Sequence, residues 1–163
     1  MAEISFRLAW EKNDPVLQRD AREFWLGLGG AVTPQEIEER VTQLCALAYA
    51  GGKVVALSTI SLYDYPRLRS RFAYYRTSVA EGFRRQRMAV RLCAYSRDRL
   101  QEWARENPEV GLQGLFIVLQ AKEFKRDQHV PVARRDDVEF VLVGYTPGGY
   151  QLRIVWFDGA SVE

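Results

Sequence analysis

Three arginines stand close together where the sequence indicates that a β-strand gives way to an α-helix. Arg84, Arg85 and Arg87 lie within the segment 81–89, after a β-prone run at 72–79 and before a long amphipathic run. The first N–H groups of a helix have no intrahelical acceptor, and the helix dipole places partial positive charge at the same end. Together with three guanidinium groups, these N–H groups predict a cradle for an anion such as phosphate or pyrophosphate.

The elements on either side of this turn follow from residue types. Aromatic and β-branched residues in 72–79 are typical of a strand. The helix is predicted from about 86 to 105, and Pro108 is placed to stop it. Its apolar side chains recur close to a 3.6-residue period, at Met88, Leu92, Tyr95, Leu100 and Trp103.

The run Val79-x-Glu-Gly-Phe-Arg-Arg-Gln-Arg-Met-Ala-Val-Arg-Leu92 resembles the acetyl-CoA-binding motif of GNAT-type N-acyltransferases. In that family a strand ends in a valine-like residue. An aromatic residue follows, then an Arg/Gln-x-x-Gly-x-Gly/Ala turn, and then a helix with a leucine one turn in. The positions that match this pattern are Val79, Phe83, Arg84, Ala89 and Leu92.

Arg87 departs from the pattern, because the family usually has glycine there. Glycine lets the backbone approach a phosphate closely, whereas Arg87 adds bulk together with a charge that could reach the same phosphate. The resemblance implies that acetyl-CoA is the co-substrate and that the acceptor is an amine of unknown identity. The residues that it assigns to acetyl-CoA binding are Val79 through its backbone, Arg84, Arg85, Arg87, Met88 and Ala89.

The order of elements along the chain supports the same family. A strand at 4–10 is followed by a helix that Asp14 and Pro15 begin, and by a second helix with a capping box at Thr33 and Glu36. Two hairpins and a buried strand complete the pattern, at 45–62, 138–157 and 112–119, with a short helix predicted at 121–126. The order β α α β β β α β (α) β β is that of the GNAT fold, so residues 1–163 are predicted to form one domain. The fold class is α+β, with a mostly antiparallel sheet, a splayed parallel fourth and fifth strand, and flanking helices.

The groups that would catalyse acyl transfer are harder to assign. The resembled family often places a carboxylate on the fourth strand as general base, and a tyrosine on the helix after the fifth strand as general acid. This chain has neither at those positions. Tyr75 is a weak candidate for the acid, and Glu36 or Asp64 could serve as the base, although each has a simpler structural role. A non-catalytic module that keeps the fold, and with it CoA binding or a protein-interaction role, therefore remains an alternative.

Composition limits the remaining classes. The chain of 163 residues has 47% hydrophobic residues and a formal net charge of +2, which argues against a dedicated nucleic-acid binder. A nucleic-acid module using the clustered arginines, Arg76 and Arg91 among them, is the third alternative. Cys45 and Cys93 are predicted to be buried thiols, and no metal-ligand spacing, signal peptide or membrane span is found, so a cytoplasmic location is expected.

Three further segments have a simple structural interpretation. The aromatic and arginine residues of 63–71 could line an acceptor site, but a surface connection with stacked arginines is slightly favoured. The segment 129–137, with His129 and the run Arg134-Arg-Asp-Asp137, is predicted to be a solvated loop. The exposed edge of the closing hairpin could also support a homodimer by strand pairing.

Overall fold

The structure, a computed structural model, describes residues 3–29, 32–119 and 130–162. Its strands form one mixed sheet in the order β1-β2-β3-β4-β5-β8-β7-β6, in which β4 and β5 are parallel. The α+β fold class with a parallel fourth and fifth strand is therefore confirmed. The elements are β1 (Ile4–Leu8), α1 (Pro15–Leu26), α2 (Pro34–Val41), β2 (Leu44–Ala50), β3 (Lys53–Tyr65), β4 (Ser70–Val79), α3 (Met88–Glu106), β5 (Leu112–Leu119), β6 (Val132–Arg135), β7 (Val138–Tyr145) and β8 (Gln151–Trp156).

The chain divides into two compact units, each built from two stretches of sequence. The first unit is Met1–Ile60 with Thr77–Ser96, and the second is Ser61–Arg76 with Arg97–Glu163. Strands β3 and β4 and helix α3 each continue from one unit into the other. The single-domain organisation stays a prediction.

In the first unit, polar side chains fix where α1 and α2 begin. The Asp14 carboxylate accepts a hydrogen bond from Val16 N at 2.9 Å. Thr33 and Glu36 form the predicted capping box, because Glu36 N donates to Thr33 Oγ1 at 3.2 Å and Thr33 N donates to Glu36 Oε2 at 2.8 Å. Both helices then bury one face against β2 and β3. This core contains Leu17, Ala21, Trp25, Ile37, Val41, Leu44, Leu47 and Leu57.

In the second unit, β5 is held differently on its two sides. Its pairs with β4 are Arg71↔Leu112, Ala73↔Leu115 and Tyr74↔Phe116, so they cover the N-terminal halves of both strands. Its pairs with β8 run from Gly114↔Trp156 to Leu119↔Gln151. A Cβ at Gly114 would collide with the carbonyl oxygen of Val155, so only glycine allows β8 to approach this closely.

The structure corrects three expectations about the second unit. The predicted connection 63–71 is shorter, because β3 continues to Tyr65 and β4 already begins at Ser70. The predicted loop 129–137 contains β6, and the left-handed Asp136 (φ 52°) turns the chain into β7. Because β6 pairs with β7, the edge of the closing hairpin is covered and the sheet ends at β6. The predicted short helix 121–126 and His129 lie outside the described residues.

The sequence predicted two buried cysteines, Cys45 and Cys93, and the structure places both in the interior. Burial raises the pKa of the Cys45 thiol to about 12. Within residues 3–29, 32–119 and 130–162, no group of three or more His, Cys, Asp or Glu residues could hold a metal ion. No helix in those same stretches has the length and apolar character needed to cross a membrane.

The capping box predicts a measurable effect on stability. Thr33→Ala removes the acceptor for the Glu36 N–H, so we expect the free energy of unfolding to fall by about 1 kcal/mol. Urea denaturation followed by circular dichroism measures this change. Gln35→Ala, an exposed change in the same helical turn, is the matched control and should leave the free energy within about 0.5 kcal/mol of the unmodified protein. Equal losses in both variants would contradict the assigned capping role.

Candidate functional site

The turn between β4 and α3 lies wholly within the first unit. Residues Glu81–Gln86 form a 3₁₀ helix rather than an open loop, and Phe83 N donates to Ala80 O at 2.9 Å. Ala80 N donates to Val55 O at 2.8 Å, which ties the start of the turn to β3. Helix α3 begins at Met88, two residues later than the sequence predicted. We call the segment from Val79 to Ala89 the arginine turn.

Arg87 is the residue that reverses the chain from the 3₁₀ helix into α3. Its backbone is left-handed, with φ 55° and ψ 26°. For a residue with a Cβ this conformation is unfavourable, and glycine adopts it without that cost. The glycine that the resembled family has at this position therefore suits a left-handed turn, in addition to any close approach to a phosphate. This chain adopts the same kind of turn with an arginine.

The first N–H groups of α3 belong to the same short segment as three arginines. The first helical hydrogen bond runs from Arg91 N to Arg87 O at 3.0 Å, so the N–H groups of Met88 and Ala89 precede the intrahelical ladder. The Met88 side chain is fully buried and fixes the helix start to the core. The side chains of Arg84, Arg85 and Arg87 are exposed. This set of donors suits a doubly charged anion.

Val79 and Arg84 contact each other at the end of β4. Arg84 Nε donates to Val79 O at 3.3 Å, which brings the guanidinium group against the strand end. The six residues predicted to bind acetyl-CoA thus lie in one continuous, partly exposed segment of the first unit. Their role in binding stays a prediction. Of the other arginines considered, Arg91 lies over the ring of Phe6 at 5.7 Å, so one cation of the cluster packs on an aromatic ring.

The candidate general acid and bases have structural surroundings of their own. Tyr75 is buried, with 4% of its surface exposed, and points to the opposite face of β4 from Tyr74. Glu36 closes the capping box of α2. Asp64 forms an ion pair with Arg71 at 2.7 Å, and this hydrogen bond lowers the pKa of the Asp64 carboxyl. A lowered pKa makes Asp64 a weaker base. No catalytic role is tested by these positions, so all three stay predictions.

The second unit contains an aromatic cluster that the sequence only partly indicated. Tyr63, Tyr74 and Phe116 come from β3, β4 and β5, and we call them the aromatic triad. Their ring centroids are 5.0 Å apart for Tyr63 and Phe116, and 6.3 Å apart for the other two pairs. The alternation of aromatic residues in β3 and β4 was a signal for one shared face. The contribution of β5 had no local signal.

A separate cavity of about 480 Å³ lies in the second unit at the beginning of β4 and β5. Its walls are mostly polar and include the Asp64–Arg71 ion pair and Glu109. The aromatic triad is not part of its lining. Arg69 and Arg71 line this cavity, and Arg67 is exposed. Tyr65 also contributes to the lining, although it is buried and packs in the core.

Comparison with solved structures identifies the fold. The chain is similar to a GNAT-family acetyltransferase from Streptococcus pneumoniae, with a TM-score of 0.57 and 16% identity over 94% of this chain and 99% of that chain. It is also similar to a GNAT-family acetyltransferase from Brucella melitensis solved with acetyl-CoA (TM-score 0.52, 11% identity, 100% and 94% covered). A third similar structure is Ard1 from Thermoplasma volcanium (TM-score 0.50, 15% identity, 94% and 95% covered). No protein-family model and no curated protein matches the chain.

These structures show that the chain has the GNAT fold. The resemblance stated from the sequence is confirmed at the level of the fold, and it spans nearly the whole chain. Because the sequence identities are only 11% to 16%, these similarities establish the fold of the chain and do not identify its substrate.

The left-handed backbone of Arg87 predicts that glycine is the more stable residue there. Arg87→Ala removes the side chain but keeps a Cβ, whereas Arg87→Gly removes the steric penalty as well. After allowance for the greater freedom of glycine in the unfolded chain, the glycine variant should be more stable than the alanine variant by about 0.5 kcal/mol. Thermal unfolding should show a melting temperature that is about 1–2 °C higher for Arg87→Gly. A lower melting temperature for the glycine variant would contradict the left-handed conformation.

Proposed function

We propose that the protein is an N-acetyltransferase that transfers the acetyl group of acetyl-CoA to an amine. The observation that carries this proposal is the arginine turn of a chain with the GNAT fold. A strand end, a 3₁₀ helix, a left-handed residue and a helix start follow one another there, with three exposed arginines. That combination suits the pyrophosphate of CoA better than a neutral ligand, because both the amides and the guanidinium groups favour anions.

Each residue of the arginine turn has a distinct part in this proposal. The N–H groups of Met88 and Ala89 donate to a pyrophosphate oxygen, and Arg84, Arg85 and Arg87 supply charge around it. The backbone of Val79 donates to the pantetheine arm. Met88 acts through its backbone only, since its side chain is in the core. Arg87 contributes a guanidinium group that a glycine would lack.

Acetyl transfer from a thioester to an amine mainly requires that the protein hold the two reactants in the correct orientation. The neutral amine nitrogen attacks the thioester carbonyl carbon, a C–N bond forms, the C–S bond breaks, and the amine loses one proton while the departing thiolate gains one. A thiol has an ordinary pKa of about 8.5, so the thiolate leaves without a strong acid. Holding both reactants in position therefore supplies much of the acceleration.

A CoA-binding module without catalysis is the second candidate. It is favoured by a specific observation: the two carboxylates considered as bases are engaged elsewhere, Glu36 in the capping box and Asp64 with Arg71. Release of free CoA thiol in the presence of amines separates the two candidates. Binding of acetyl-CoA with no thiol release above the buffer rate, across primary amines of different size and charge, would favour the module.

The proposed function predicts stabilisation by acetyl-CoA. At a concentration a hundred times the dissociation constant, ligand binding adds about 2.7 kcal/mol to the free energy of unfolding. For a domain of this size the melting temperature should rise by about 5–10 °C. The double change Arg84→Ala and Arg85→Ala should reduce this shift to less than about half of its value, because each removes a phosphate-directed charge.

The matched control is Arg67→Ala with Arg105→Ala, which removes two exposed arginines outside the arginine turn. That variant should keep the full shift. If millimolar acetyl-CoA does not raise the melting temperature of the unmodified protein, the proposed function is contradicted and only the resemblance in fold remains. Tight, salt-dependent binding of a DNA or RNA oligonucleotide that the Arg84/Arg85 variant loses would instead support the nucleic-acid alternative.

A further inference from the structure

The cavity at the beginning of β4 and β5 is bordered by three segments of the second unit that hydrogen bonds hold together. Arg71 donates to Asp64 Oδ1 at 2.7 Å and to the carbonyl oxygen of Val110 at 3.3 Å, which joins the β3–β4 connection to the segment before β5. Ser161 N donates to Gln113 Oε1 at 3.0 Å, which holds the chain after β8 against β5. The volume of about 480 Å³ lies within the range of about 300–1,000 Å³ that is usual for small-molecule sites.

The charged residues that line the cavity fall into two groups. Asp64 and Arg71 neutralise each other, because their ion pair lowers the pKa of the Asp64 carboxyl and keeps it ionised beside the guanidinium group. Arg69 and Glu109 are different. Among residues 3–29, 32–119 and 130–162, neither of these two side chains has a hydrogen-bond or ion-pair partner. The cavity therefore presents one cation and one carboxylate that the described part of the chain does not neutralise.

The sheet brings Arg69 and Glu109 to the same end of two neighbouring strands. Arg69 follows a 3₁₀ helix and directly precedes β4, whereas Glu109 lies in a 3₁₀ helix that precedes β5. Arg71 and Leu112 are the first pair of the β4–β5 ladder. Because Arg69 is two residues before Arg71 and Glu109 is three residues before Leu112, the two turns lie side by side. Each residue then extends from its own turn to the shared cavity.

These surroundings favour a ligand that carries both signs of charge. A lone anion on Arg69 would be repelled by the Glu109 carboxylate, and a lone cation on Glu109 would be repelled by the Arg69 guanidinium. A guanidinium group binds a carboxylate through its planar fork, and a carboxylate accepts hydrogen bonds from an ammonium group. The Gln113 amide N–H groups and the Ser161 hydroxyl, which have no partner within the described stretches, provide further hydrogen bonds to a polar ligand.

We propose that this cavity binds a free α-amino acid as a zwitterion, with its α-carboxylate on Arg69 and its α-ammonium group on Glu109. An α-amino acid carries both charged groups on one carbon, which matches two charged side chains on adjacent turns. The inference goes beyond the proposed function and does not depend on it, since every residue that it uses belongs to the second unit.

Thermal unfolding without acetyl-CoA tests the proposal. Each common L-α-amino acid is added at 10 mM, or at its solubility limit, at pH 6.5. We expect at least one of them to raise the melting temperature by about 2–4 °C. Isothermal titration calorimetry then compares the amino acid that gives the largest shift with its α-amide, which lacks the carboxylate, and with its N-acetyl derivative, which lacks the ammonium group. Each derivative should bind roughly tenfold more weakly than the parent.

Two variants assign the charges to residues. Arg69→Gln should weaken binding of the amino acid by roughly tenfold and leave binding of the α-amide within about twofold. Glu109→Gln should weaken binding of the amino acid by a similar factor and should not weaken binding of the N-acetyl derivative. Arg67→Gln and Glu106→Gln are the matched controls, because they make the same charge changes at nearby exposed residues that do not line the cavity. Both controls should bind the amino acid within about twofold of the unmodified protein.

Four results would overturn the proposal. They are the absence of a melting shift with every amino acid, equal affinity for the parent and its two derivatives, unchanged affinity in both Arg69→Gln and Glu109→Gln, and equal losses in the control variants. The last result would show a general effect of surface charge rather than a site. Because acetyl-CoA is absent throughout, a failure of the proposed function would alter none of these measurements.

Discussion

The parallel pairing of β4 with β5 is the constraint on which the candidate site depends. Parallel neighbours cannot be joined by a tight turn, so the chain must leave the carboxyl end of β4 and return before β5 begins. The arginine turn and α3 make this crossing. One short 3₁₀ helix separates the end of β4 from the start of α3. The first N–H groups of α3 therefore lie in the connection at the carboxyl end of a strand, where open sheets bind ligands. The helix start in the turn is therefore a consequence of topology, and the arginines add positive charge to the anion site that we propose there.

The two sides of β5 explain why the β4–β5 ladder can be short. Six residue pairs with β8, from Gly114 to Leu119, satisfy one edge of β5 throughout, and Gly114 allows the closest approach. Three pairs with β4 then suffice on the other edge, and they end at Tyr74 and Phe116. Because the hydrogen bonds with β8 hold β5 in place, β5 needs fewer backbone hydrogen bonds with β4. The aromatic triad stands at that point, where side-chain packing takes over from backbone pairing.

The sequence predicted those elements whose position depends on neighbouring residues in the chain. The starts of α1 and α2 follow from Asp14 and the capping box, and the hydrophobic run of β5 is recognisable without its partners. Strand β6 was missed because Val132–Arg135 is a short edge strand with two arginines, and edge strands carry charges that look like loop residues. The extension of β3 to Tyr65 was missed because its aromatic residues find their partners on β4 and β5, far away in sequence. The charges of the arginine turn were predicted, but the positive φ of Arg87 has no local signal.

At Arg87 the residue that best suits the turn differs from the residue that best suits the proposed site. The left-handed backbone favours glycine, whereas an anion site favours a cationic side chain. The turn requires a left-handed residue, and glycine would satisfy that requirement with less strain. The arginine at this position therefore accepts the steric cost of a left-handed backbone. The Arg87 side chain is exposed, as are those of Arg84 and Arg85, and Arg87 directly precedes the first residue of α3. Strain of this kind is expected where a side chain serves a ligand rather than the core, because binding to the native state can offset a local loss of stability. A left-handed backbone also occurs at Glu11, Asn13, Arg69 and Asp136. At Arg87 it therefore supports the proposed anionic ligand only together with the other two exposed arginines and the helix start that follows.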